Sequence, residues 1–484
     1  MKAKRIPEII IKPDPKRVLF LPFHPMDEQR ILKIIARVNA LSEEQARKEL
    51  EQIIEEFDSR HHRLKQFLLK RFEDVRKYLL TDLEPSEERQ LLIGAYFTQE
   101  YSLESAALFN PSMVWHPDQS KLPKGSKRFI LSLRATGEGH ISSITFRTGV
   151  IDRENNIQMD QATRFVTTPE IHPNPVFQKE IFEQKLYELG LLNDFSMRVL
   201  AGLNETFSLT DLRENVNYAL RQSRVWEDDY ENVAKAILTL AESNYEISFS
   251  PDQSLSERII FPVSKNENNG IEDARFVEFK DENGSVTYYA TYTAYNGEII
   301  LPQLLETKDF LHFKISTLSG AAVKNKGMAL FPRKINCKYA MLSRQDNENI
   351  YIMFSDHIHF WHEKEVILKP TFPWEFVQLG NCGSPIETEA GWLVISHGVG
   401  PMRKYAMGAF LLDLEDPTKV IGRLKEPLLS PNENEREGYV PNVVYSCGGQ
   451  IHNGELIIPY AMSDYASSFA KVDMDELLNE LTSG

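Results

Sequence analysis

Residues 270–294 read GIEDARFVEFKDENGSVTYYATYTA, and the reading of this stretch decides the fold. An apolar, strand-like run is followed by the turn Asp281-Glu282-Asn283-Gly284 and then by a β-branched and aromatic run over 286–294. Short runs of this kind bounded by Asn/Gly turns are strand signals. They continue at 339–342, 350–354, 392–396, 409–412 and 455–460, with a second clear turn at His452-Asn453-Gly454. Many short strands with regular turns predict a sandwich, a barrel or a propeller. The start of the same stretch carries chemistry. Glu272 and Asp273 stand beside Arg275 at a turn-to-strand junction. An arginine can hold one carboxylate ionised while burial keeps another protonated, which supplies a general acid at neutral pH. Taken alone, such a motif is more often a surface turn with an Asp–Arg ion pair. Its downstream companions give it weight.

Working outward, 128–134 and 141–147 are further strand candidates. Aromatic or apolar strand segments recur every 50 to 70 residues, at 288–292, 339–342, 392–395 and 456–460. This weak repeat fits blades of about four strands each, with a pair of sheets as the competing architecture. Two regions break the β pattern. Residues 1–25 read as an extended arm interrupted by prolines. Helical spacing then runs to about residue 80, with Ser42 and Gln45 as a capping box. A second helical stretch, about 175–243, reads as an insertion. The predicted organisation is therefore an arm and helical extension over 1–95 and a β domain over 96–484. The insertion has a packing or oligomerisation reading, and a lesser one in selecting substrate length.

Composition narrows the partners. The 484 residues are 42% hydrophobic and 26% charged, with a formal net charge of −15. That balance argues against nucleic acid and anionic membranes as general partners. No apolar run approaches the roughly 18 residues of a membrane helix. The basic N-terminus lacks the apolar core of a signal peptide. Cys337, Cys382 and Cys447 are far apart and show neither metal-ligand spacing nor a disulfide framework. A cytoplasmic protein is the expectation.

Against this acidic background, Lys326, Arg333, Lys334 and Arg344 fall within nineteen positions. Arginine offers a planar fork to an oxyanion and lysine a point charge. His397, beside a glycine turn, can donate to a further oxygen. A solvated basic strand edge explains the same residues equally well.

Together these stretches resemble glycoside hydrolase family 130, the β-mannoside phosphorylases and related β-mannosidases. The resemblance rests on residues 270–276, 330–335 with 339–344, 391–399 with 405–413, and 438–444, and upstream on Phe109-Asn110-Pro111-Ser112 with Arg134. It covers about 100–475, apart from the insertion. It implies a mainly β protein, a five-bladed β-propeller with N-terminal helices and a helical insertion, and an active site at the central cavity. It also implies an inverting phosphorolysis of short β-1,2- or β-1,4-manno-oligosaccharides, giving α-mannose 1-phosphate and a shortened sugar. By matching motif, Asp273 is the catalytic acid. Arg344, His397 and Lys326 are phosphate contacts, and Asn110, Arg134, Asp356 and Asp464 are sugar contacts, with Trp361 beside Asp356. Inorganic phosphate is then a co-substrate, and neither metal nor organic cofactor is expected. The extra helices suggest a homo-oligomer. An inverting hydrolase needs a second carboxylate to activate water, whereas phosphate is already a nucleophile and needs cations to hold it. Arg344 and His397 favour phosphorolysis. Glu387 and Glu437 keep a water-using β-mannosidase open, and a non-catalytic carbohydrate-binding propeller is a third reading. His140 is a candidate to face the sugar, or a loop histidine held by backbone.

Overall fold

A computed structural model describes residues 2–172, 176–222, 228–297 and 300–483. Among them, the chain forms five antiparallel sheets of four to six strands, two further strand pairs, and nine α-helices. The first sheet is built on Ala107–Trp115, Lys127–Thr136 and Ser142–Ile151, and the second on Ile271–Lys280, Val286–Tyr295, Ile300–Thr307 and His312–Thr317. The third runs Ala329–Leu330, Tyr339–Ser343, Ile350–Ser355 and Glu365–Leu368. The fourth is built on Gln378–Asn381, Gly391–Val399, Tyr405–Leu412 and Val420–Arg423, and the fifth on Val444–Tyr445, Glu455–Met462 and Ala466–Asp473.

The repeat expected at 288, 339, 392 and 456 falls on the second strand of four successive sheets. In the first sheet that place belongs to Lys127–Thr136, and the helical insertion stretches the interval that follows. Both faces of these second strands are covered, which is why they read as continuous apolar runs.

Packing links the sheets in sequence. Phe146 of the first meets Phe276 and Tyr288 of the second; Leu304 of the second meets Leu330 and Met341 of the third. Leu342 and Ile352 pack on Trp392 and Val394, and Leu393 and Ile395 pack on Leu456 and Ile458. Finally Ile457 and Phe469 of the fifth sheet pack on Leu108 and Leu131 of the first. The residues read as an N-terminal arm join this arrangement. Lys4–Ile11 is a strand that pairs antiparallel with Ala466–Asp473. Its Pro7 lacks an N–H, which an edge position tolerates.

The expected N-terminal helices are Glu28–Asn39, Glu43–Phe57, Leu64–Val75 and Glu87–Tyr96. Ser42 and Gln45 form the reciprocal capping box, with the Gln45 N–H donating to Ser42 Oγ at 3.2 Å and the Ser42 N–H to Gln45 Oε1 at 2.9 Å. The insertion is four helices, Lys179–Glu188, Asp194–Ala201, Leu209–Gln222 and Asp228–Glu242, around their own apolar core of Phe182, Phe195, Leu212 and Ile237. Pro175, the expected start of the insertion, lies outside the described residues. No helix among the described residues is long and apolar enough to cross a membrane.

Candidate active site

Two β-bulges build the site. On Ala107–Trp115 the pairing moves from Phe109↔Arg134 to Ser112↔Ser132, so this strand carries one extra residue. On Ile271–Lys280 it moves from Glu272↔Thr293 to Arg275↔Thr291, again with one residue extra. A bulge bends the strand and re-aims a side chain. Asn110 and Asp273 occupy the bulges with left-handed φ of 49° and 53°. Their side chains meet: Asn110 Nδ2 donates to Asp273 Oδ1 at 2.6 Å. The first strands are tied together around this point, by the Phe276 N–H to Ser112 Oγ at 3.0 Å and the Cys447 N–H to Pro111 O at 2.8 Å.

The bulges open on a cavity of about 400 Å³, and seven of the eight predicted site residues line it: Asn110, Arg134, Asp273, Lys326, Arg344, His397 and Asp464. Arg134 donates to Asp273 Oδ1 at 3.4 Å and to Glu272 Oε1 at 3.0 Å, and Lys326 Nζ reaches Glu272 Oε2 at 3.2 Å. Glu272, read from the sequence only as the second carboxylate beside Arg275, bridges two other cations. Arg275 is fully buried. It donates to Cys382 O at 2.8 Å, to Asp273 O at 2.9 Å and to Tyr445 Oη at 2.7 Å. It thus holds the Asp273 backbone as well as charging its surroundings.

Across the cavity, Arg344 Nη1 stands 3.5 Å from His397 Nε2. Gly327 lets this happen. Its φ is +92°, and a Cβ there would fall 2.4 Å from Arg344 Nε. Burial, reinforced by the Arg344 and Arg275 charges, pushes the His397 imidazole well below its ordinary pKa, so the ring is neutral in the substrate-free cavity.

The two carboxylates diverge. Burial opposes ionisation of Asp273, but Arg134, Arg275 and Lys326 outweigh it and lower its pKa to about 2. Asp464 makes no hydrogen bond among the described residues. Burial first, and the Asp273 charge second, raise its pKa to about 7. Arg134, Arg275 and Lys326 thus favour the ionised form of Asp273, while Asp464 is shifted toward its protonated form.

Some expectations are corrected by position. Asp356 is not in this cavity. It is exposed, 3.8 Å from Lys338 Nζ, and lines a separate groove against the helical insertion. Trp361 is a core residue whose indole N–H donates to Ile358 O at 2.9 Å. Of the four clustered cations only Lys326 and Arg344 reach the cavity. Arg333 chelates Glu387 at 2.7 Å and lies over Trp392, while Lys334 pairs with Asp281 at 3.5 Å. Glu387 faces a different cavity, and Glu437 is exposed and lines none of those described. His140 binds the Tyr439 hydroxyl at 2.9 Å through its side chain. Arg403 and Tyr405, not singled out from the sequence, also line the site. Arg403 sits in a turn with φ 52°, where strand alternation gives no signal. Among the described residues, no group of three or more His, Cys, Asp or Glu is arranged to hold a metal ion.

Several known proteins are similar to this chain. The sequence profile of glycoside hydrolase family 130, described as beta-1,4-mannooligosaccharide phosphorylase, matches residues 210–483. A 1,2-beta-oligomannan phosphorylase of Thermoanaerobacter sp. strain X514 is 37% identical over 231 residues, covering 46% of this chain and 75% of the relative. A beta-1,2-mannobiose phosphorylase of Listeria innocua is 32% identical over 230 residues, covering 46% of this chain and 63% of the relative. The solved structure of a beta-1,2-mannobiose phosphorylase from Listeria innocua, in complex with beta-1,2-mannobiose, aligns over 78% of this chain and 93% of its own, with 22% identity and a TM-score of 0.47.

Proposed function

This chain belongs to glycoside hydrolase family 130, and from that membership we propose that it is an inverting β-mannoside phosphorylase. Its substrates are short β-1,2- or β-1,4-manno-oligosaccharides and inorganic phosphate. Its products are α-mannose 1-phosphate and a sugar shortened by one unit.

One observation carries the reading. The cavity sets Arg344, His397 and Lys326 together with the bulge carboxylate Asp273, and it includes neither Glu387 nor Glu437. A nucleophile that arrives already charged needs such a cradle; water needs a base. In this reading Arg344, His397 and Lys326 hold the phosphate. Phosphate replaces the His397 ring as acceptor for Arg344 and offsets the charge that keeps the imidazole neutral. Asn110, Arg134 and Asp464 contact the sugar. Asp273 is the acid, protonating the leaving oxygen directly or through a sugar hydroxyl. It is ionised in the free cavity, so it must gain a proton as the complex forms. A phosphate dianion beside Lys326 weakens one of the charges holding Asp273 down, and the sugar excludes water. Both changes raise its proton affinity.

The five sheets packed in sequence, with the fifth on the first, support a five-bladed propeller. The helical extension and insertion lie outside that body, while the strand Lys4–Ile11 completes the fifth blade. No cofactor beyond phosphate is needed, because phosphate requires no activation. A cytoplasmic setting fits three cysteines that are all free. The added helices offer surface for a homo-oligomer.

The test incubates the protein with β-1,2- and β-1,4-mannobiose, with and without phosphate, and measures mannose 1-phosphate. Phosphate-dependent release is expected and identifies the linkage. Free mannose produced regardless of phosphate would make it a hydrolase. Binding without turnover would make it a carbohydrate-binding protein.

A further inference from the structure

The helical insertion reaches the loop that carries Lys326. This loop, 318–327, leaves the strand His312–Thr317 and leads to Ala329–Leu330. Two of its backbone groups are satisfied by one helix of the insertion. Lys185 Nζ donates to Leu318 O at 2.8 Å, and Glu188 Oε1 accepts the Gly320 N–H at 2.8 Å. The second Glu188 oxygen pairs with Lys185 at 3.4 Å. Both side chains are nearly sealed from solvent, at 7% and 13% exposed. Gly320 has φ +118°, and a Cβ there would fall 1.9 Å from Trp361 O, so the loop lies hard against its support. The far end of the loop is fastened to the site itself. Gln345 donates to Ala322 O at 2.9 Å, Asn381 donates to Gly327 O at 3.0 Å, and Lys326 reaches Glu272. A buried ion pair adds little net stability over apolar residues of similar size. What this pair supplies is direction: it fixes two loop groups in place.

We propose that Lys185 and Glu188 are positioning residues, through which the insertion sets the Lys326 loop against Arg344 and so tunes phosphate binding. This rests on the phosphorylase reading. The double substitution Lys185→Met/Glu188→Leu keeps apolar packing while releasing Leu318 O and the Gly320 N–H. Its KM for phosphate is expected to rise about tenfold, the loss of roughly one net hydrogen bond's worth of order. Its KM for mannobiose should stay near that of the wild type, while its thermal midpoint should fall, because Leu318 O and the Gly320 N–H are left buried without these partners. Glu188→Gln keeps an oxygen for the Gly320 N–H and should hold the phosphate KM within about twofold. In the wild-type protein, phosphate should slow amide hydrogen exchange at Gly320 and Val323, a measurement that needs no variant to fold. A folded double variant with wild-type phosphate KM, an equal rise in both KM values, or exchange indifferent to phosphate would overturn the proposal. A wild-type enzyme that ignores phosphate would instead overturn the reading on which it rests.

Discussion

Gly327→Ala probes the phosphate side of the cavity without removing any charged group. The new Cβ would stand 2.4 Å from Arg344 Nε, 2.9 Å from Cδ and 3.0 Å from Cγ. The φ of +92° adds about 1–2 kcal/mol for any L side chain. Overpacking a buried contact adds about 1–3 kcal/mol. The expected destabilisation is therefore about 2–5 kcal/mol, read by urea unfolding. Arg344 is 5% exposed and cannot swing into solvent, so it must slide along the cavity wall and withdraw from His397. One charge-assisted hydrogen bond to phosphate is worth about 1.5–3 kcal/mol, which becomes a rise of about 10- to 150-fold in the KM for phosphate. The KM for mannobiose should change far less. Gly454→Ala is the control. Its φ is +77° but a Cβ there meets nothing within 4 Å, so it should show the conformational cost alone. A folded Gly327→Ala protein with unchanged phosphate KM would refute the placement of Arg344 on the phosphate.

Asp273→Asn should lower kcat by at least about 100-fold, the usual weight of a general acid, with the fold intact by circular dichroism; near-wild-type turnover would remove Asp273 from the mechanism. Asp464→Asn should change the pH dependence of stability. The raised pKa of about 7, against 3.8 ordinarily, means that protonation stabilises the folded wild type fully below about pH 4 and that this gain is gone above about pH 7. The variant escapes that loss, so its stability relative to the wild type should climb between pH 4 and 8, by at most about 4 kcal/mol. A pH-independent difference in denaturation midpoints would show that the Asp464 pKa is not raised in the folded protein. Glu387→Gln should leave turnover with phosphate, and any release of free mannose, within about twofold, because this residue is held by Arg333 outside the site. A large loss of activity would restore it as a catalytic base.

How much of this was legible in the sequence follows from which physics sets each feature. The second strands of the sheets are apolar on both faces, so their runs stood out, and their spacing exposed the repeat. Bulges leave no such trace. One extra residue at Asn110 or at Asp273 reverses the alternation locally, and only the resemblance to a family brought both residues to one place. Distance along the chain also misled. Arg333 and Lys334 follow Lys326 closely, yet they lie beyond the short strand Ala329–Leu330 and turn to Glu387 and Asp281. Asp356 stands just past the end of Ile350–Ser355, where side-chain direction is set by the turn. In a linear reading Glu272 is only the second carboxylate beside Arg275. Its importance appears only when Arg134 and Lys326, distant in sequence, meet on its two oxygens.

The charges around the cavity explain why a chain with a net charge of −15 should still take an anion as co-substrate. Arg134, Arg275, Lys326 and Arg344 bring four positive charges to the site. Asp273, its pKa lowered by these cations, and Glu272, bonded to Arg134 and Lys326, are set against them, while Asp464 and His397 are shifted toward their neutral forms. With Arg403 also on the cavity wall, the cations of the site outnumber its carboxylates in a partly desolvated space. At an effective dielectric of about 20, two unit charges 4 Å apart interact by about 4 kcal/mol, so this excess is a strong and specific demand. Water brings no charge to meet it. A phosphate dianion brings two. The same neutralisation loosens the hold of the cations on Asp273, so that filling the nucleophile site and protonating the acid favour one another. Hydrolysis at this cavity would have to proceed with the excess unbalanced and the acid still ionised.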